Sequence, residues 1–177
     1  MKRAKMQVVM LILVGIALAG IVGLFIVSLT AARPANLGVR DGRLAETPDS
    51  PNCVSTQTDN RSHWMAPLTF TGPADEAREI LRQIVLAMPR TTMVEETEDY
   101  LYVEFRSPVF RFVDDVEFLI QPDTQRIHFR SASRVGHSDL GVNRARMESI
   151  RERFNRRLQS QPQSSPSAPA RDPLRSP

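Results

Sequence analysis

The sequence predicts an α+β fold: a single antiparallel sheet of four or five strands with two helices on one face, preceded by one transmembrane helix. Three observations predict it. An uncharged apolar run from Val8 to Leu29, broken only by Ser28, opens the chain. Two later stretches place apolar residues at helical spacing, and between them the apolar period shortens to two, the signature of half-buried strands. The order strand, helix, four strands, helix is met by one sheet carrying both helices on its apolar face.

The first element is the apolar run. At 1.5 Å per residue its ~22 residues reach roughly 33 Å, enough to cross the hydrocarbon core of a bilayer. Residues 1–32 read as a membrane anchor or uncleaved signal, because the apolar part of a cleaved signal peptide is shorter, ~7–15 residues. Thr30-Ala31-Ala32 keeps cleavage open as the alternative. Lys2, Arg3 and Lys5 are denser near the apolar edge than Arg33, Arg40 and Arg43. The positive-inside rule then predicts a single-pass membrane protein with a cytoplasmic N-terminus and its domain on the exported, periplasmic side. Gly15, Ala19 and Gly23 recur every four residues, a spacing that lets two membrane helices approach closely and dimerise.

Residues 33–62 read as a loop-rich lead-in to an α+β domain over 63–158, with His63 to Phe70 as a candidate edge strand. After Gly72-Pro73, residues Ala77, Ile80, Leu81, Ile84 and Met88 share one helical face. Pro73 and the acids Asp75 and Glu76 suit the positive end of that helix, and Pro89 stops it. Thr92 to Val94 make a short strand. Leu101, Val103 and Phe105, then Val116, Phe118 and Ile120, then Ile127 and Phe129 alternate with polar neighbours. Glu98-Asp99 and Pro122-Asp123-Thr124 read as turns. A four-residue loop over Pro122 to Gln125 sets Ile120 opposite Ile127, Phe118 opposite Phe129, Val116 opposite Ser131 and Asp114 opposite Ser133, with Glu117 facing Arg130 on the outer side. Met147, Ile150, Phe154 and Leu158 stripe the second helix, from about Leu140 or Asn143 to Leu158, capped by Ser138, Asp139 or Asn143. Residues 159–177, with five prolines, read as a disordered Pro/Ser-rich tail because they have too little apolar bulk to offset ordering entropy.

Composition excludes one class of function. The 177 residues carry 23 Lys and Arg against 20 Asp and Glu, a net charge of +3. Beyond Lys5 there is no lysine, and acids are interleaved with the arginines, so no basic face for nucleic acid is expected. Cys53, the one cysteine, has no partner for an internal disulfide. His63, His128 and His137 have no metal-ligand spacing, and neither metal nor cofactor is expected.

Three segments carry a resemblance: Pro48 to Ser55 (PDSPNCVS), Phe112 to Phe118 (FVDDVEF) and Arg130 to Arg144 (RSASRVGHSDLGVNR). Over roughly Asn36 to Arg157 the chain resembles the domain of unknown function 1499 family, found in bacteria and in plant plastids. The resemblance implies a shared fold and export or membrane association, and no reaction. Family members often carry a further cysteine where this chain has Glu46-Thr47-Pro48, so no cysteine pair is implied here.

Two chemistries remain. The inner face of the last hairpin turns polar at Asp114, where a carboxylate needs hydrogen bonds or an arginine. Ser131, Ser133, Arg134, Ser138, Asp139 and Asn143, with Gly136, Gly141 and the amides opening the second helix, are expected to converge there. Arg134 and Arg144 suit a phosphate or carboxylate. The same Asp-Arg-Ser set equally serves to stitch strand to helix. Asp115, one residue on, points the other way and reads as a solvated acid. Cys53 with His63, His128 or His137, oriented by Asp114 or Asp139, is the one thiol-nucleophile arrangement available, with Cys53 and His137 the favoured pair. The leading expectation is a membrane-anchored, non-catalytic envelope domain binding a partner protein or a small anionic ligand. The alternative is a Cys53-dependent hydrolase or transferase.

Overall fold

The computed structural model describes residues 2–160. The elements run α1 (Lys2–Thr30), β1 (Val39–Arg40), β2 (Arg43–Leu44), β3 (Cys53–Ser55), β4 (Leu68–Thr69), α2 (Ala74–Leu86), β5 (Thr91–Glu96), β6 (Tyr100–Arg106), β7 (Val113–Gln121), β8 (Arg126–Ser133) and α3 (Val142–Ser160). The main sheet is six-stranded in the order β3-β8-β7-β6-β5, with β4 beside β3 on the same edge of β8. All its strand pairs are antiparallel.

The helix-facing side is built as periodicity demands. Ala77, Ile80, Leu81, Ile84 and Val85 of α2 and Met147, Ile150 and Phe154 of α3 meet Leu101, Val103, Phe105, Val116, Phe118, Ile120, Ile127 and Phe129 in one core. Burying each large side chain contributes ~1.5–3 kcal/mol, so this layer is the main source of stability. Pro73 precedes α2 in an extended conformation (φ −65°, ψ 136°), and Asp75 and Glu76 occupy the first turn. The β7–β8 hairpin has the expected register: Gln121 opposite Arg126, Ile120 opposite Ile127, Phe118 opposite Phe129, Glu117 opposite Arg130 and Asp114 opposite Ser133. Gln125 closes the turn at φ 51°, its N–H donating to the Pro122 carbonyl.

Two expectations need correction. The sheet has six strands rather than four or five, because Cys53–Ser55 pairs with Ala132, Ser131 and Arg130 of β8. From His63 to Phe70 the strand is confined to Leu68–Thr69. The outer face, moreover, is not solvated. The segment 33–47, including the β1–β2 hairpin, lies over it, and Leu44 joins Tyr100, Tyr102 and Leu119 in a second apolar cluster flanked by Leu37 and Val94. Gly38 N–H donates to the Glu117 carboxylate at 2.7 Å, and Leu44 N–H to Gln57 Oε1 at 2.9 Å. Glu104, Asp115, Glu117 and Arg130 are consequently buried, so Asp115 is not the solvated acid its alternation suggested.

At the N-terminus, Lys5–Thr30 is a helix long and apolar enough to cross a membrane or to serve as a signal sequence. Its last turns touch the domain: Ser28 is buried, and Phe25 packs edge-on against Phe110 with ring centroids 5.5 Å apart. The α3 helix runs to Ser160; the Pro/Ser-rich tail expected from Gln159 lies, beyond Ser160, outside the described residues.

Candidate functional site

Alternation along β7 and β8 sends neighbouring residues to opposite faces, and each face carries a polar network at the same end of the sheet. On the helix face, Asp114 accepts from Ser133 Oγ at 2.6 Å and from Arg146 Nη2 at 2.5 Å. Arg146 Nη1 donates to Asn143 Oδ1 (2.6 Å) and Ser131 Oγ (3.2 Å). Asn143 Nδ2 reaches the Asn52 carbonyl (2.9 Å) and Ser133 Oγ (3.0 Å), and Asn52 Nδ2 donates to the Gly136 carbonyl. The Arg146 guanidinium also lies 4.6 Å from the Phe105 ring centroid. Both oxygens of Asp114 and both polar ends of Asn143 are in use, and the bonds join β3, β7, β8 and α3. A network this fully satisfied rigidifies the region it crosses.

On the outer face, Arg134 Nε donates to both oxygens of Asp115 (3.1 and 2.9 Å). Its Nη2 serves Tyr102 Oη, Asp115 and Glu104. Glu104 also takes Arg106 at 2.8 Å and Arg33 at 3.3 Å. Nearby, Arg130 Nη1 donates to Glu117 (3.3 Å) and its Nε to the Glu46 carbonyl, while Tyr100 Oη donates to Glu117 at 2.8 Å. Burial alone would raise the Glu104 carboxyl pKa, but hydrogen bonds and charge from Arg134, then Arg106 and Arg33, hold it below the usual range. Burial and the neighbouring carboxylates push both tyrosines upward. Hydrogen bonding to Asp115 and Glu104 raises Arg134 despite its burial.

This second network borders a cleft of about 370 Å³ between Pro34 and Asn36, the Glu46–Pro48 segment, and the β7–β8 end carrying Asp115, Arg130 and Arg134. The side chains of Arg130 and Arg134 are only 5% and 8% exposed. Among the described residues, Arg130 Nη2 and Arg134 Nη1 have no hydrogen-bond partner, and neither is among the sealed, unpartnered atoms. Each guanidinium thus keeps one nitrogen unpaired and not sealed from solvent, on a residue that lines the cleft. A larger hollow of about 760 Å³ lies at the opposite sheet end, around Asp75, Asp99 and Gln121, and no buried charge converges on it.

Cys53 lies on β3 opposite Ala132. Its thiol is within 3.3–3.5 Å of the Ser50 and Pro48 carbonyls and 3.5 Å from His63 Nδ1. Burial raises its pKa, only partly countered by the charge of Arg130, so it is a protonated thiol at neutral pH. A nucleophile needs the thiolate, and Cys53 does not line the cleft at Arg130 and Arg134.

The expected convergence on Asp114 is met in part. Ser131, Ser133 and Asn143 are there, but Arg134 faces the other side because it follows Ser133 by one residue. Arg144 reaches away to the Ser62 and Trp64 carbonyls. Asp139 accepts from the Gly141 and Asn143 N–H groups, fixing the start of α3, whereas Ser138 binds the Leu140 N–H. His63, not the exposed His137, neighbours Cys53. His128 is held by Thr56 Oγ1 at 2.9 Å. Sequence reasoning missed Arg146, three residues after Asn143 and so on the same helical face, and it missed Arg130, Glu104 and Asp115 as buried members of one cluster.

Together these features define an α+β domain behind an N-terminal apolar helix, with two ion networks back to back across one sheet. The family described as a protein of unknown function (DUF1499) matches residues 43–154, a span that includes the helix-face network, Cys53 and all of the outer network except Arg33. The chain belongs to the DUF1499 family. No curated protein matches it.

Proposed function

We propose that this is a membrane-anchored envelope protein whose domain, on the exported side, binds a small carboxylate- or phosphate-bearing ligand without transforming it. The observation that carries this reading is the pair Arg130 and Arg134: nearly buried, fixed by carboxylates, and each left with one unused nitrogen at the cleft. Arginines pre-organised in this way lose little freedom on gripping an anion. The four arginines Arg33, Arg106, Arg130 and Arg134 are matched by Glu104, Asp115, Glu117 and, on the cleft wall, Glu46, so it is the two unused guanidinium nitrogens and not a net charge that would hold a ligand. The unbroken apolar helix supports retention in the bilayer, and the basic N-terminal flank supports a cytoplasmic N-terminus.

Calorimetric titration of the full chain in detergent with inorganic phosphate and with acetate tests the binding. One of them should bind with Kd of about 1 mM or tighter, equivalent to about −4 kcal/mol. Arg130→Lys/Arg134→Lys keeps charge opposite the buried carboxylates but removes the second guanidinium edge, and should weaken binding about tenfold or more, ~1.4 kcal/mol, with the fold intact. Asn36→Trp, at the exposed rim, should block the cleft. Unaltered binding in both variants, or no binding of either anion, refutes the reading. The rival reading, a hydrolase or transferase using Cys53, rests on the 3.5 Å approach of His63. It requires rapid modification of Cys53 in the folded protein.

A further inference from the structure

We propose that the domain rests on the bilayer through a second, non-helical contact: the sheet end carrying Val109, Phe110 and Leu140 dips into the lipid surface. This rests on the reading of α1 as a retained membrane helix.

Strand register places three connections at one end of the sheet. Arg106 pairs with Val113 and Asp114 with Ser133, so the 107–112 and 134–141 connections emerge side by side. Arg106 N–H donates to the Arg90 carbonyl, which brings the 87–90 connection to the same edge. Among the described residues beyond α1, six large hydrophobics are notably exposed, and four belong to this end: Val109 at 63%, Leu140 at 94%, Val142 and Leu86. An exposed apolar cluster confined to one end marks an interaction surface.

The occupant follows from α1. Phe25 lies four residues before Leu29, the last residue of the apolar run, and so about 6 Å inside its end. Phe110 packs against that ring, and Phe112 packs against Phe110 at 5.6 Å. With α1 spanning the membrane, Phe110 stands at the depth of Phe25, below the level where the apolar run stops. Charge agrees with this placement. The connections carry Arg90 and Arg111, with Arg134 committed to Asp115 and Glu104, and their one carboxylate, Asp139, is occupied by the amides opening α3. Apolar tips flanked by arginine suit the interface of a membrane containing anionic lipid. The anion cleft includes Pro34 and Asn36, a few residues beyond α1, so this docking also sets the cleft close to the headgroups.

The test uses the full chain in vesicles of phosphatidylcholine and phosphatidylglycerol. Val109→Cys, Leu140→Cys and, at the opposite sheet end, Asp123→Cys are each labelled with an environment-sensitive fluorophore. Cys53 is buried and free, so label goes to the introduced thiol, with the unmutated chain as control. Quenching by spin-labelled lipid should be several times stronger at 109 and 140 than at 123, with blue-shifted emission. Equal, weak quenching at all three positions, with the protein still resistant to alkaline carbonate extraction, overturns the docking and spares the anchor. Release by carbonate overturns both.

Discussion

Replacing Asp114 by asparagine should destabilise the domain far more than a surface charge change, because Arg146 then keeps its charge among neutral acceptors. The side chains of the pair are 9% and 14% exposed and meet at 2.5 Å. Removing one member of a buried ion pair costs about 3–5 kcal/mol. Arg146 retains Asn143 Oδ1 and Ser131 Oγ, so the expected loss is at the lower bound, about 3 kcal/mol. Against a total of roughly 5–15 kcal/mol this is a large fraction. For a domain between the small and medium size classes it corresponds to a fall in Tm of about 10 °C. The assay is urea unfolding of the full chain in detergent, followed by emission of Trp64. That residue bridges to Ser55 and its carbonyl receives Arg144, so it reports the junction of β3 and α3 while α1 stays silent. The double variant Asp114→Ala/Arg146→Met leaves no orphan charge and should cost less than the sum of its single changes. Strict additivity, or a loss under about 1 kcal/mol for Asp114→Asn, would refute the view that this network is a stitch. Its polar groups would then be free for a ligand.

Other outcomes follow from the same geometry. Glu104 is held below the ordinary carboxylate range in the fold, so its contribution is present above the unfolded value and lost as pH falls through the folded one. Stability measured from pH 7 downward should therefore fall less steeply in Glu104→Gln than in the unmodified chain. A thiol reagent at neutral pH should modify Cys53 only as fast as the domain unfolds, since its thiol is buried and its pKa raised; rapid reaction with native protein would restore the enzyme reading. Asp139→Ala removes the acceptor for two N–H groups at the start of α3 and should cost about 1 kcal/mol. A fragment beginning at His63 lacks β3 and the cover over Tyr100, Tyr102 and Leu119, and should show no cooperative thermal transition. A fragment from Arg33 should show one.

The legible parts of this molecule are those in which local chemistry and tertiary role agree. The β7–β8 register could be worked out residue by residue because a four-residue turn and strict period-two alternation fix every pair from Gln121–Arg126 to Asp114–Ser133. The α2 face could be read because its apolar residues recur without interruption. Cys53–Ser55 was illegible as a strand: three residues after Pro51-Asn52 show no period, and pairing with β8 alone makes them extended. The buried outer face was misread for a related reason. Tyr100, Tyr102, Glu104, Asp115 and Glu117 look like a solvent face until 33–47 covers them, and nothing local in 33–47 says where it will lie. The cross-strand match of Glu117 with Arg130 was the available clue, since charges placed in exact opposition suit burial as well as solvent. For the site, Asp114, Ser133 and Asn143 were legible from strand register and helix position. Arg134 was assigned to the wrong face by proximity in sequence, and Arg146 was overlooked although the helical wheel sets it beside Asn143.

The two networks share a backbone and divide the work. Asp114 and Ser133 bind inward and lock α3 to the sheet. Asp115 and Arg134, one residue along on the same two strands, bind outward and lock the N-terminal segment down through Glu104 and Arg33. Arg33 lies three residues past the end of α1, and its guanidinium also stands over the Tyr102 ring at 5.2 Å. The outer network therefore ties the segment after the N-terminal apolar helix to the sheet, beside the Phe25–Phe110 contact, and also walls the cleft. Arg134 is the residue the two roles share: it lines the cleft, and the carboxylate of Glu104 that it binds also takes Arg33. An anion bound as proposed above would compete with Glu104 and Asp115 for Arg134, and that competition needs no moving lid, because the shared arginine carries it.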